Sequence, residues 1–145
     1  MEAHRLGGRR VVVLLVDSNI FIYIAEGLIP LSSFAKTLEA SYIILVPDRV
    51  IEELANLSST GSHYESKVAK KALEIATSIS RVETTSASRA DDAIVELAVK
   101  IKSEGKPVVV ATADRELRAR LREIGVPTMY YRKSRGELEL EWEPL

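Results

Sequence analysis

"VVVLLVDSNIF", residues 11–21, decides the architecture. Six consecutive aliphatic residues with no polar alternation read as a strand covered on both faces, the habit of a parallel sheet. The run stops at Asp17, and Ser18 or Asn19 can cap a short helix beginning near Ile20. A buried strand ending in a charge raises the question of whether that carboxylate stands alone.

Working outward, the pattern repeats. "YIILVP" (42–47) reads as a second buried strand, with Asp48 as the cap of a helix over "RVIEELANLSS". A polar bend, "SSTGSHYES", holds His63 and Tyr64; a helix near 64–79 follows, with Val68, Ala72, Ile75 and Ile79 at helical spacing. "RVETT" (81–85) is a weaker strand, and Ser88 opens a helix to about Glu104 that Gly105 and Pro107 close. "PVVVATA" (107–113) is strand-like, "RELRARLREIG" is a helix ending at Gly125, "PTMYY" (127–131) is a strand and "KSRG" a turn. In the tail, Leu138, Leu140 and Trp142 alternate with Glu137, Glu139, Glu141 and Glu143. That predicts an edge strand whose glutamates discourage edge pairing, or a dimer surface. Strands alternating with helices predict an α/β fold: three α/β/α layers, a mostly parallel central sheet and a C-terminal edge strand. The reading is one domain over 1–145, with a core of about 11–132 and a strand extension of about 137–143.

Bulk composition narrows the chemistry. The chain has 145 residues, 46% of them hydrophobic, enough to bury a core, and a formal charge of −1. Any nucleic-acid surface must therefore be local. The absence of cysteine excludes disulfides and cysteine-based zinc sites and suits a cytoplasmic setting, while His4 and His63 are the only imidazoles. The opening "MEAHRLGGRRVVVLLVD" superficially resembles a signal peptide, but its apolar core is six residues and lacks a small-residue cleavage site. No run approaches the roughly 20 apolar residues of a membrane span.

In open α/β sheets, ligands bind at the carboxyl ends of the strands. Asp17 ends the first strand and Asp114 directly follows "VVVATA". Asp91 and Asp92 open the helix after the third strand, and Glu52 and Glu53 lie in the first turns of the helix after the second. Helical phase chooses between neighbours. Glu53 aligns with Val50 and Leu57 and leans to the packed side; Glu52 aligns with Arg49 and Asn56 and is solvated. Asp91 aligns with Ile94 and Ala98, leaving Asp92 to assist through water. Such acids repel one another unless a divalent cation neutralises them, and hard oxygen donors suit Mg²⁺ or Mn²⁺. Taken singly, each has a plainer reason to exist: Asp17 and Asp114 as caps, Asp91 and Asp92 for the helix dipole, Glu53 as a surface residue.

"VDSNIFI", "VPDRVIEEL", "ADDAIVELA" and "VVVATADRELRARLREIGVPTMYYR" resemble the successive motifs of the PIN-domain nucleases, over roughly Val11 to Arg132. That resemblance implies that Asp17, Glu53, Asp91 and Asp114 are the catalytic acids and metal ligands, with Asn19 and Thr112 orienting them. The last stretch is most similar to the branch of small-subunit rRNA-processing endonucleases, and VapC-type toxins are a second resemblance. The zinc-binding cysteines of some rRNA-processing relatives are absent. The resemblance implies Mg²⁺- or Mn²⁺-assisted hydrolysis of single-stranded RNA. It also implies a homodimer, with an antitoxin protein or a pre-ribosomal assembly as partner.

An acidic site needs cations nearby to receive a polyanion. Residues 115–135 hold Arg115, Arg118, Arg120, Arg122, Arg132, Lys133 and Arg135 against Glu116 and Glu123, a local excess of five. Arg115, Arg118, Arg122 and Arg132 are the expected RNA contacts; the alternative is a solvated helix face with Glu116–Arg120 pairing. Tyr23, Tyr64, Tyr130 and Tyr131 could stack on bases or simply pack. A non-catalytic RNA-binding or assembly module on the same fold is the rival reading. A haloacid-dehalogenase-like phosphatase would need D-x-D where Asn19 stands, and a receiver domain a lysine absent from "VVVATAD".

Overall fold

A computed structural model of the chain describes residues 5–6 and 9–141. The first strand, β1 (Arg5–Leu6), pairs antiparallel with the amino end of β2 (Arg9–Val16). Then follow α1 (Ser18–Ala25), α2 (Ser33–Leu38), β3 (Ser41–Pro47), α3 (Asp48–Thr60), α4 (His63–Ile79), β4 (Arg81–Glu83) and α5 (Ala90–Ser103). The chain continues through β5 (Val108–Ala111), α6 (Arg115–Glu123), β6 (Thr128–Arg132) and β7 (Glu137–Glu141). His4, Trp142 and Glu143 lie outside the described residues.

The sheet order is β4-β3-β2-β5-β6-β7. All neighbours in it are parallel except β6 and β7, which are antiparallel. The expected mixed α/β architecture is therefore present. β2 lies at the centre, Leu14 facing Ile44 of β3 on one side and Val109 of β5 on the other. Leu14, Leu15 and Val16 are fully buried, which is why this strand shows no polar alternation.

The connections wind in two directions. From β2 the chain steps outward through β3 to β4, then returns through α5 and steps outward the other way, through β5 to β6. Right-handed crossovers place α1–α4 on one face and α5–α6 on the other. The reversal opens a crevice at the carboxyl ends of β2 and β5, where open α/β sheets hold their ligands.

Several boundaries differ from the sequence reading. The cap of α1 is Asp17 itself, accepting the Ser18 N–H, so the helix starts at Ser18 rather than near Ile20. Asp48 is not a cap but the first residue of α3; its Oδ1 accepts the backbone and hydroxyl of Thr85, tying α3 to the loop before α5. His63 and Tyr64 lie in the first turn of α4, because Ser62 and Glu65 form a reciprocal capping box that narrows the bend to Gly61–Ser62. The helix after β4 begins at Ala90, not Ser88. Gly125 takes φ +77°, as expected for the residue ending α6. β7 has the expected alternation: Leu138 and Leu140 pair with Tyr131 and Met129, Glu139 and Glu141 with Tyr130 and Thr128. Leu138 is buried, so its side chain belongs to the core.

Candidate active site

Asp17 is 7% exposed, and three residues hold its carboxylate, two from α1 and one just after β5. Its Oδ1 accepts the Ser18 N–H at 2.8 Å; Oδ2 accepts the Thr112 hydroxyl at 2.7 Å and the Asn19 amide at 3.4 Å. Burial pushes its pKa up; the Thr112 and Ser18 hydrogen bonds oppose that, while the charges of Glu53 and Asp114 raise it further. A buried carboxylate pushed up partly by other carboxylates is a group that a cation would relieve.

The neighbouring residues form one network. Thr112 is fully buried, and its oxygen also accepts the Asp114 N–H at 3.1 Å. Asn19 Oδ1 accepts the Ala113 N–H at 3.0 Å. The turn after β2 is thus bound to the turn after β5 at two points. Ser18, read in the sequence only as a cap candidate, donates its hydroxyl to Glu53 Oε1 at 2.6 Å. Asp114 caps α6 through Oδ1, which accepts the N–H groups of Glu116 and Leu117.

These acids line a cavity of about 370 Å³ walled by Asp17, Ser18, Asn19, Glu53, Arg89, Ala90, Asp91 and Asp114. Four strand-to-helix junctions therefore deliver one acid each. Glu52 is outside that wall, bound to Arg49 at 2.6 Å. Glu53 lines the wall but is exposed rather than packed, so the packed side that helical phase predicted for it is not where it lies. Asp92 sits beside the wall, with Arg120 at 3.0 Å from Oδ1; Arg120 thus crosses to α5 rather than pairing with Glu116. Arg120 also lies 3.6 Å from Asp91 Oδ2, and Arg89 lies 3.6 Å from Asp91 Oδ1. No sequence signal pairs Arg120 with α5, because the contact joins residues 28 positions apart, Asp92 and Arg120, on two different helices.

The donor set fits a hard divalent cation: four carboxylates, with neither cysteine nor histidine on the wall. Among the described residues, however, no three such groups stand close enough to enclose an ion as they are.

Of the expected RNA contacts, Arg115 is exposed on the first turn of α6. Arg118 stacks over Tyr130, 4.3 Å from the ring centroid. Arg122 pairs with Glu141 at 2.6 Å, and Arg132 with Glu139 at 3.1 Å. Much of the basic segment is thus bound to β7. Tyr23 and Tyr131 pack together, ring centroids 5.3 Å apart, and Tyr64 donates its hydroxyl to Glu26. No described helix is long and apolar enough to cross a membrane.

The sequence matches the model of the PIN like domain family over residues 13–134. Its structure is similar to that of the PIN domain endonuclease Utp24, with a TM-score of 0.70, 25% identity, and coverage of 89% of this chain and 90% of that one. It is also similar to VapBC2 from Rickettsia felis, solved bound to a DNA fragment from the VapBC2 promoter. There the TM-score is 0.51 and the identity 16%, with 83% of this chain and 99% of that one covered, a likeness of fold alone. No curated protein matches the sequence.

Proposed function

Because the chain belongs to the PIN-like domain family, we propose that it is a Mg²⁺- or Mn²⁺-dependent endoribonuclease acting on single-stranded RNA. The observation that carries this reading is the convergence of Asp17, Glu53, Asp91 and Asp114 on one cavity at the winding reversal of the sheet. Asp17, Asp91 and Asp114 would hold the ion, with Glu53 completing its surroundings. When bound, the ion supplies charge neutralisation at the phosphate and a more acidic water.

The chain's own groups do the rest. Thr112, Ser18 and Asn19 fix the Asp17 carboxylate, so it needs no reorganisation on binding. Glu53 is held at Oε1 by Ser18, which leaves Oε2 to take the proton of the attacking water. Water adds to phosphorus, the bridging oxygen leaves with a proton, and no protein nucleophile is needed. Arg115, exposed on the first turn of α6, would meet the incoming strand. The cellular role belongs to the same proposal: rRNA processing within a pre-ribosomal assembly, or a toxin held by an antitoxin protein. A cytoplasmic homodimer of one-domain chains fits either role.

The test is incubation with unstructured RNA and Mn²⁺. Cleavage is expected, lost on chelation and reduced by about 10²-fold or more in Asp17→Asn, the scale of losing a metal-site group. Cleavage that survives Asp17→Asn overturns the assignment. RNA binding without any cleavage points to the non-catalytic module instead.

A further inference from the structure

Among the described residues, the ion pairs of the acid cavity fall on one wall. Both oxygens of Asp91 face a guanidinium, Arg89 at 3.6 Å on one and Arg120 at 3.6 Å on the other. Asp91 Oδ1 also accepts the Asp92 N–H at 2.9 Å, whereas Asp17, Glu53 and Asp114 are held by hydroxyl, side-chain amide and backbone donors, with no guanidinium on them among the described residues. The Arg120 guanidinium is shared, and its shorter contact is to Asp92, 3.0 Å away and outside the cavity wall. The Asp91 contact is the looser of the two, and both side chains are partly solvated, at 43% and 33% exposure. Such a pair is weak enough to exchange.

We infer that Arg120 is a displaceable counter-cation: it occupies Asp91 while the cavity lacks a metal ion, yields it on binding, and stays tethered by Asp92 at the cavity mouth as a ligand for a substrate phosphate. The chemistry supports both halves. A divalent cation outcompetes one arm of a solvated guanidinium for a carboxylate, and the released fork presents N–H donors in the geometry that phosphate oxygens accept. Asp92 acquires a purpose that its position outside the wall otherwise denies it. This inference rests on the metal-dependent reading above.

The experiment compares wild type with Arg120→Gln in two titrations. Calorimetry with Mn²⁺ and no RNA is expected to show the variant binding the ion roughly two- to fivefold more tightly, the scale of one exposed ion pair. Fluorescence anisotropy with a phosphorothioate-protected single-stranded RNA, Mn²⁺ present, is expected to show weaker binding, with the salt slope reduced by about 0.7 for one lost phosphate contact. The opposite signs separate this role from a structural one, which would weaken both. Mn²⁺ affinity unchanged or weakened overturns the counter-cation; unchanged RNA affinity overturns the phosphate ligand. Asp17→Asn is the control. Mn²⁺ binding lost there but unmoved by Arg120→Gln sinks only the Arg120 inference, whereas a wild type that binds no Mn²⁺ sinks the metal-dependent reading and this one with it.

Discussion

At the scale of single residues, Asp17 sets a measurable sign. Its folded-state pKa lies above the unfolded value of 3.8, so the fold favours the protonated form. The contribution of Asp17 to stability is therefore greatest in acid and declines as pH rises through the folded pKa. Asp17→Asn removes that decline. Between about pH 3 and pH 7, without divalent metal, urea unfolding should show the difference in stability moving steadily in the variant's favour. Adding Mn²⁺ at neutral pH should stabilise the wild type alone. Thr112 is the second point. Thr112→Val removes the donor to Asp17 and the acceptor for the Asp114 N–H, at an expected cost of about 1–3 kcal/mol in urea unfolding and roughly 10–100-fold in Mn²⁺ affinity. At this scale the sequence was informative where chemistry is local: residue type and position in the first turns after a strand marked the acids that line the cavity, although the helical phase that chose Glu53 expected it on the packed side. Ser18 and Arg120 were not, because each acts across to a residue on another element; Arg89 lies two residues from Asp91, a local signal that the sequence reading passed over.

At the scale of elements, the corner between α3 and α4 is closely packed. A Cβ on Gly61 would stand 2.8 Å from the Leu57 carbonyl oxygen and 2.9 Å from Glu65 Cβ, neither of which can swing aside. Gly61→Ala should cost about 1–3 kcal/mol in thermal or urea unfolding, the usual scale of overpacking. Ser62→Ala, which removes only the side-chain cap, should cost about 1 kcal/mol. The long helices were readable because their apolar stripes repeat over several turns, although in α4 the fully buried line is Ala69, Ala72 and Ala76, with the expected Val68, Ile75 and Ile79 half-buried beside it. α2 was missed: it has six residues and a single buried anchor, Phe34, too little for a period to emerge. The early start of α4 was written in "SHYE", a capping box read instead as polar bend.

At the scale of the whole molecule, strand order comes from connection rules rather than periodicity, and the acids mattered only once that order brought four junctions to one edge. The β7 edge carries its own titration. Burial pushes the Glu141 carboxyl up, but hydrogen bonds from Thr128 and Arg122 pull it further down, and it settles below 4.5. Its stabilisation is present above the unfolded value and lost as pH falls through the lowered one, opposite in sign to Asp17. Hydrogen exchange should show β7 amides losing protection in that acid range before those of β2 do. Glu141→Gln should bring the loss to neutral pH. The winding reversal, finally, divides the acids by sequence: Asp17 and Glu53 precede the loop 84–89, Asp91 and Asp114 follow it. A chain cut after the exposed Ser88 would leave each fragment with half a constellation. Cleavage would then report the meeting of two pieces, and the scaffold becomes a coincidence detector for whatever is fused to them.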